Sequence, residues 1–157
     1  MTTYRVADLT GALLDAAVAE CGEWKTAHEH YPTLTLDPTF SGWFLREDDG
    51  KSYCMLRPNN PMRQDPQYYS PSTVWAIGGP IIEREWIALH QGAPAERIDG
   101  RWIRTTVEWF SGVDAETEWE GLIPCEKSKP IVTGQTPLIA AMRAYVASRF
   151  GETIELP

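Results

Sequence analysis

The residues best equipped for chemistry gather between Tyr68 and Arg84. Tyr69, Ser72, Thr73, Trp75, Gly78 and Gly79 put aromatic faces, hydroxyls and backbone-permissive glycines into one short stretch. With such parts a protein stacks a planar ligand and approaches it with main-chain donors. Arg84 follows, and a guanidinium pairs well with a phosphate or carboxylate. Further on, Gln135 and Thr136 precede Pro137, where the first amides of a helix would form a ready anion site. These nine residues are the expected ligand-binding set. The same text also reads as a loop that tucks its aromatics onto a sheet and turns at Gly78-Gly79-Pro80. On that reading Thr136 and water satisfy the helix amides.

Other clusters offer different chemistry. His28-Glu29-His30 would place two imidazoles on one side of a strand, within reach of a metal shared with Cys21. A zinc site wants three or four ligands, and no paired Cys motif supplies the rest, so an exposed polar loop is the expectation and no metal is assigned. Glu83-Arg84-Glu85 holds an acid, a base and an anion clamp, or else an ion-paired surface turn. Asp114, Glu116, Glu118 and Glu120 alternate with other residues. If extended, they set carboxylates on one edge about 6.6 Å apart, a row that imitates a phosphate path. A solvated charge run is the plainer reading.

No Gly-x-x-x-x-Gly-Lys phosphate loop, dinucleotide glycine motif or nucleophile elbow is present, so no catalytic residue and no cofactor is assigned. A net charge of −8 with dispersed basic residues disfavours direct nucleic-acid binding, although one Arg and one helix start can still hold a small phosphorylated ligand. Three scattered cysteines suit reduced thiols in a cytoplasm better than a disulfide framework. The longest apolar run, Leu9 to Ala19, is broken by Gly11 and Asp15, so no membrane span is expected, and no signal peptide either.

A chain of 157 residues, 43% apolar and 23% charged, fits a single domain, residues 1–157, with a real core. Its seven tryptophans are numerous enough to serve that core and leave a few for a pocket or interface. Asp8 is expected to cap a helix over Leu9 to Cys21, ended by Gly22, with a narrow buried face of Leu9, Leu13, Ala16, Ala17 and Glu20. Trp43–Leu45 and Ser52–Leu56 read as strands joined by an Asp49-Gly50 hairpin turn. Arg57–Pro71 reads as a long loop. Pro80 is a candidate first helical residue, while Ile81–Gln91 fits either helix or strand. Trp102–Phe110 reads as one strand and Leu122-Ile123 as a short one. The clearest element is a helix over Pro137–Phe150, capped by Thr136 and stopped by Gly151. Ile139, Met142, Val146 and Phe150 form its apolar stripe, an alanine side lets a neighbour come close, and Arg143 and Arg149 face solvent or a partner. Helices at both ends of a strand-rich middle predict an α+β fold with an antiparallel or mixed sheet.

Three blocks carry a resemblance: Asp8-Leu9-Thr10-Gly11-Ala12-Leu13-Leu14-Asp15, then Tyr69-Ser70-Pro71-Ser72-Thr73 with Gly78-Gly79-Pro80-Ile81-Ile82-Glu83-Arg84-Glu85, then Gly134-Gln135-Thr136-Pro137 through Ala147. Together they resemble the NinX family of small phage and prophage proteins. The resemblance leads one to expect Asp where this chain has Val74 and Gly where it has Trp86. It implies a cytoplasmic protein made in a phage-infected or lysogenic host, and it brings no reaction and no catalytic residues.

The expected function is therefore a non-enzymatic binding protein for a small nucleotide-like ligand, sequestering a host defence signal, with a homo-oligomer to enclose the site. Two other readings stay open. One is an antagonist of a host defence or nucleic-acid-handling protein, acting through the acidic run. The other is a small hydrolase or transferase using Glu83 or Glu85.

Overall fold

A computed structural model describes residues 1–25, 31, 33–36, 42–92, 95–98, 101–104, 108–113 and 132–157. The strand pairings among them are antiparallel, and helices stand near both ends, so the fold is α+β as expected. The chain begins with strand β1 (Thr2–Arg5) and a 3-10 turn (Val6–Asp8), then helix α1 (Gly11–Glu20). Strands β2 (Trp43–Asp48), β3 (Lys51–Leu56) and β4 (Gln67–Tyr68) follow. Helix α2 (Trp75–Arg84) leads into β5 (Ile87–Gly92), β6 (Ala95–Ile98), β7 (Arg101–Arg104) and β8 (Glu108–Val113). Strand β9 (Val132–Gly134), helix α3 (Pro137–Phe150) and strand β10 (Thr153–Leu156) complete it.

The last helix forms as its sequence dictates. Thr136 takes an extended conformation, its hydroxyl oxygen accepts from the Ile139 amide at 3.2 Å, and Pro137 sits at a position whose N–H would be unsatisfied anyway. Gly151 ends it with φ 84°. Its buried surface is much wider than one stripe. Met142 and Val146 are buried, but so are Ala140, Ala141, Ala144 and Ala147, whereas Phe150 is 42% exposed. The alanine side is where neighbours approach: a Cβ on Gly134 would lie 2.4 Å from the Ala140 nitrogen. Arg143 does not face solvent. Its guanidinium donates to the Leu9 and Thr133 carbonyls, both at 2.8 Å, tying α3 to the entry of α1 and to β9.

Helix α1 is shorter than its sequence pattern and buried more completely. It starts after Thr10, not after Asp8, which belongs to the 3-10 turn. Leu9, Ala16 and Ala17 of the expected face are buried and Leu13 packs against the core, but Glu20 is exposed and burial extends over all of Leu14 through Ala19, so the buried surface is wider than the narrow face expected from spacing. The helix is enclosed between β2 and β3 on one side and α3 on another, with Leu14 and Val18 buried beside the alanines Ala16, Ala17 and Ala19.

The hairpin is as its turn chemistry requires. Asp49 and Gly50 have φ of 49° and 71°, the paired positive values of a tight hairpin turn, and register runs from Asp48↔Lys51 to Trp43↔Leu56. The 57–66 segment is a loop, stitched to residues 33–35 by the Gln64 side chain, which accepts from the Thr35 amide at 3.1 Å and donates to the Thr33 carbonyl. The single strand expected over Trp102–Phe110 is divided: β7 pairs with β6, while β8 pairs with β5 and β9. The pairing of β1 with β10 brings the ends of the chain together and was not foreseen. His28 to His30, Leu122-Ile123 and the acidic run Asp114 to Glu120 lie outside the described residues.

Candidate functional site

The segment expected to be a ligand loop is mostly helix. Ser70 accepts from the amides of Thr73 and Val74, making a turn, and α2 then runs from Trp75 through Gly78, Gly79 and Pro80 to Arg84. Pro80 is thus inside the helix and not its first residue. Local chemistry argues against a helix here: Pro80 removes an internal hydrogen bond, two glycines cost backbone entropy, and Val74 has no oxygen with which to cap. Tertiary packing decides otherwise, through buried Ile77, Gly78 and Ile81. Gly78 is the contact point. A Cβ there would lie 2.3 Å from the Pro71 carbonyl oxygen and 2.8 Å from Leu138 Cδ2, so only glycine lets α2 approach both the preceding turn and the start of α3.

The nine expected site residues therefore divide. Tyr69 and Ser72 are each 1% exposed and belong to the packing. Thr73, Trp75, Gln135 and Thr136 are at the surface, and Gly79 is half-buried against the Trp75 ring. Because Gly78 abuts Leu138, the first turn of α2 and the first turn of α3 are neighbours, and these surface residues belong to those two helix starts. Arg84 does not join them. It ends α2 nine residues after Trp75, about 13 Å away along the axis.

At that far end Arg84 already has partners. Its Nη2 lies 2.7 Å from Glu23 Oε1 and its Nε 3.1 Å from Glu85 Oε1. Arg149 Nη2 is 3.1 Å from Glu85 Oε2, and Tyr145 Oη donates to Glu23 Oε1 at 2.6 Å. Burial opposes the Arg84 charge, but hydrogen bonding and attraction from Glu23 and then Glu85 outweigh it and raise its pKa. Burial and then the Glu23 hydrogen bond push the Tyr145 phenol up as well. The network joins the C-terminal ends of α1, α2 and α3, where helix dipoles favour cations. Arg84 serves as a clasp there, and Glu85 is paired with the guanidiniums of both Arg84 and Arg149. Cys21 sits beside this clasp, its thiol pushed up to about 12 by burial and the nearby Glu23 carboxylate. Among the described residues no group of His, Cys, Asp and Glu is placed to hold a metal.

Sequence reasoning also missed Asp15. It is 4% exposed on α1, and its Oδ1 accepts from the Ser72 amide at 2.8 Å, fixing the turn that precedes α2. Burial raises its pKa to about 7, against the opposing pull of the Ser72 amide and nearby hydroxyl. That hydroxyl is itself buried outside hydrogen-bonding geometry. The block Asp8 to Asp15 did contain this residue, but nothing in spacing distinguishes a buried Asp from a surface one.

The two positions where the NinX resemblance leads one to expect other residues are the two ends of α2. Val74 is its N-cap, with no side-chain hydrogen bond, and Asp is among the best residues for that position. Trp86 has φ 51° and is 73% exposed, just beyond the helix in the conformation that glycine adopts at least cost. Val74→Asp and Trp86→Gly are each expected to stabilise the protein by about 1 kcal/mol. Each should raise the melting temperature by about 2–4 °C in thermal unfolding.

A family profile described as Bacteriophage P22, NinX matches residues 5–149. No curated protein matches the chain at a significant level. Among the described residues no helix is long and apolar enough to cross a membrane. The profile spans α1, the β2–β3 hairpin, α2 and nearly all of α3, which are the elements that build both the paired helix starts and the clasp. The chain therefore belongs to the NinX family of phage proteins.

Proposed function

We propose that this NinX protein is a non-enzymatic phage accessory protein that binds a small nucleotide-like ligand in the host cytoplasm, sequestering a host defence signal. The observation that carries the reading is the meeting of two helix starts beside an exposed indole. Gly78 holds the first turn of α2 against Leu138 of α3, and Trp75 stands 55% exposed on that first turn. No side chain caps α2 at Val74, and since the Ile77 amide already bonds the Val74 carbonyl, the amides of Trp75 and Ala76 are the ones that would meet a ligand. An indole face supplies stacking, while backbone amides at a helix start suit a phosphate. The site is therefore narrower than the sequence suggested: Thr73, Trp75, Gly79, Gln135 and Thr136 stay in it, and Arg84, Tyr69 and Ser72 support it from elsewhere. A homo-oligomer would enclose so shallow a site at a shared interface.

Native mass spectrometry against a panel of nucleotides and cyclic nucleotides tests this and reads the oligomeric state at once. Reversible adducts without new products are expected. Calorimetry should then show Trp75→Ala losing about tenfold in affinity, as expected for removal of one stacking face. Arg84→Ala should instead lower thermal stability and leave affinity within a factor of two or so, because its partners are Glu23 and Glu85. No adduct at micromolar ligand from a folded protein would sink the nucleotide reading, and product formation would point to catalysis.

A further inference from the structure

The β2–β3–β4 sheet has two faces, and only one of them is used by the core. Alternation along the strands sends Trp43, Leu45, Cys54, Leu56 and Tyr69 into the core against α1. The opposite face carries Phe44, Arg46 and Asp48 from β2, Lys51, Tyr53 and Met55 from β3, and Tyr68 from β4, with Arg57 just past the end of β3. Register places Phe44, Met55 and Tyr68 in one row across the three strands, and Arg46 opposite Tyr53 in the next.

This face interleaves rings with cations. The Tyr53 and Tyr68 rings meet edge to face with centroids 5.4 Å apart, and the Arg57 guanidinium lies 5.0 Å from the Phe44 centroid. Tyr68 is 51% exposed, and the Arg46 side chain is 46% exposed beside it. Met55 is 1% exposed beneath them although it faces away from the core, so the rings rest on a filled floor and are not splayed. Arg46, Lys51 and Arg57 stand against one carboxylate, Asp48, which the Arg46 guanidinium already pairs, so the face keeps an excess of positive charge on a chain whose net charge is −8. A local cationic and aromatic face on an acidic protein complements a ligand that brings its own negative charge and flat rings.

We propose that this sheet face is a binding platform for a short single-stranded nucleic-acid segment. Bases would stack on Tyr68 and Tyr53, Lys51 would meet a phosphate, and Arg46 would exchange its Asp48 partner for another. Unstacked bases are what an exposed ring on a sheet can accept, and a duplex does not offer them. The overall negative charge opposes any long-range attraction of a polyanion, so the footprint must be short, with stacking as the main contribution and a shallow dependence on salt. This surface lies on strands, apart from the helix starts of the nucleotide reading, and stands or falls independently of it.

The test is fluorescence anisotropy of labelled ten-nucleotide dT and rU strands, the same dT strand annealed to its complement, and unlabelled dTMP as competitor. Saturable binding of the single strands is expected, with the duplex at least about tenfold weaker. Tyr68→Ala should cost about tenfold in affinity, from loss of one stacking ring, while Tyr68→Phe keeps it. Arg46→Ala should lower the slope of log affinity against log salt by about 0.7, one phosphate contact on a single strand. Trp75→Ala should change nothing, which separates this surface from the nucleotide site. Displacement of the strand by dTMP at comparable concentration would show that a free nucleotide is the ligand and overturn the strand proposal. Equal binding of the duplex, or full affinity in a folded Tyr68→Ala, would overturn it too, as would no binding of either strand.

Discussion

Between about pH 4 and pH 7 the protein is expected to lose up to about 4 kcal/mol of stability through Asp15 alone, and Asp15→Asn is expected to abolish that loss. The unfolded carboxyl ionises near 3.9, whereas burial holds the folded one at about 7. In the interval the folded state keeps a proton that the unfolded state has released. Stability must then fall as pH rises, and the contribution is fully present only below the unfolded value. About three units at about 1.4 kcal/mol each set the upper size. Cys54 and Tyr69, the buried titratable neighbours of Asp15, are both pushed up by burial and stay neutral throughout. Asn keeps an acceptor for the Ser72 amide but cannot ionise. Urea unfolding of both proteins at half-unit pH steps should show curves that converge near pH 4 and separate towards pH 7.5. A constant gap would mean that Asp15 is not buried as described. The slope also bears on function, because the Ser72 amide belongs to the turn that launches α2. The ionised carboxylate accepts more strongly from the Ser72 amide, so the loss is the cost of a buried charge, set at the junction of α1 with the turn before Trp75.

What could be read in advance was whatever local chemistry and final structure agreed on. The Thr136-Pro137 start and Gly151 stop of α3 hold in full, as does the Asp49-Gly50 turn, because in both the backbone demands of the element are met by residues adjacent in sequence. Helix α2 was illegible for the opposite reason. Val74, Gly78, Gly79, Pro80 and Trp86 each oppose a helix at the position they occupy, and burial of Ile77 and Ile81 in the core, with Gly78 set against Pro71 and Leu138, turns the balance. The candidate site inherited that error. Read as a loop, the segment could fold back and bring Arg84 to Trp75; as a helix it holds them a helix length apart. The acids of the clasp were equally hidden, since Glu23 and Glu85 acquire their roles only when three helix ends converge. The outer face of β2–β3–β4 was different. Its alternation of Phe44, Arg46 and Asp48 with Lys51, Tyr53, Met55 and Arg57 stands plainly in the sequence.

Two adjacent glycines should answer in opposite directions, and Gly78→Ala is the larger of the pair. Its Cβ would stand 2.3 Å from the Pro71 carbonyl oxygen, with Leu138 Cδ2 at 2.8 Å. The leucine methyl can rotate away, but the carbonyl cannot, since its turn is held by the Ser70 carbonyl bonds to Thr73 and Val74 and by Asp15 on the Ser72 amide. Overpacking against backbone costs about 3 kcal/mol, and the better helix propensity of alanine returns only about 1 kcal/mol. A net loss of about 2 kcal/mol should lower the melting temperature by about 4–8 °C. At Gly79 the nearest atom to a new Cβ is Trp75 Cε3 at 3.8 Å, an ordinary contact. Gly79→Ala should therefore gain roughly 0.5–1 kcal/mol from propensity alone. If both substitutions stabilise, α2 does not approach Pro71 and α3 as closely as described. If the signs differ as expected, the pair gives a further lever on function. Gly78→Ala displaces the start of α2 from the start of α3 and should weaken nucleotide adducts in a protein that is still folded at low temperature. The strand-binding face of β2–β3–β4 does not depend on that junction, and its affinity should not change.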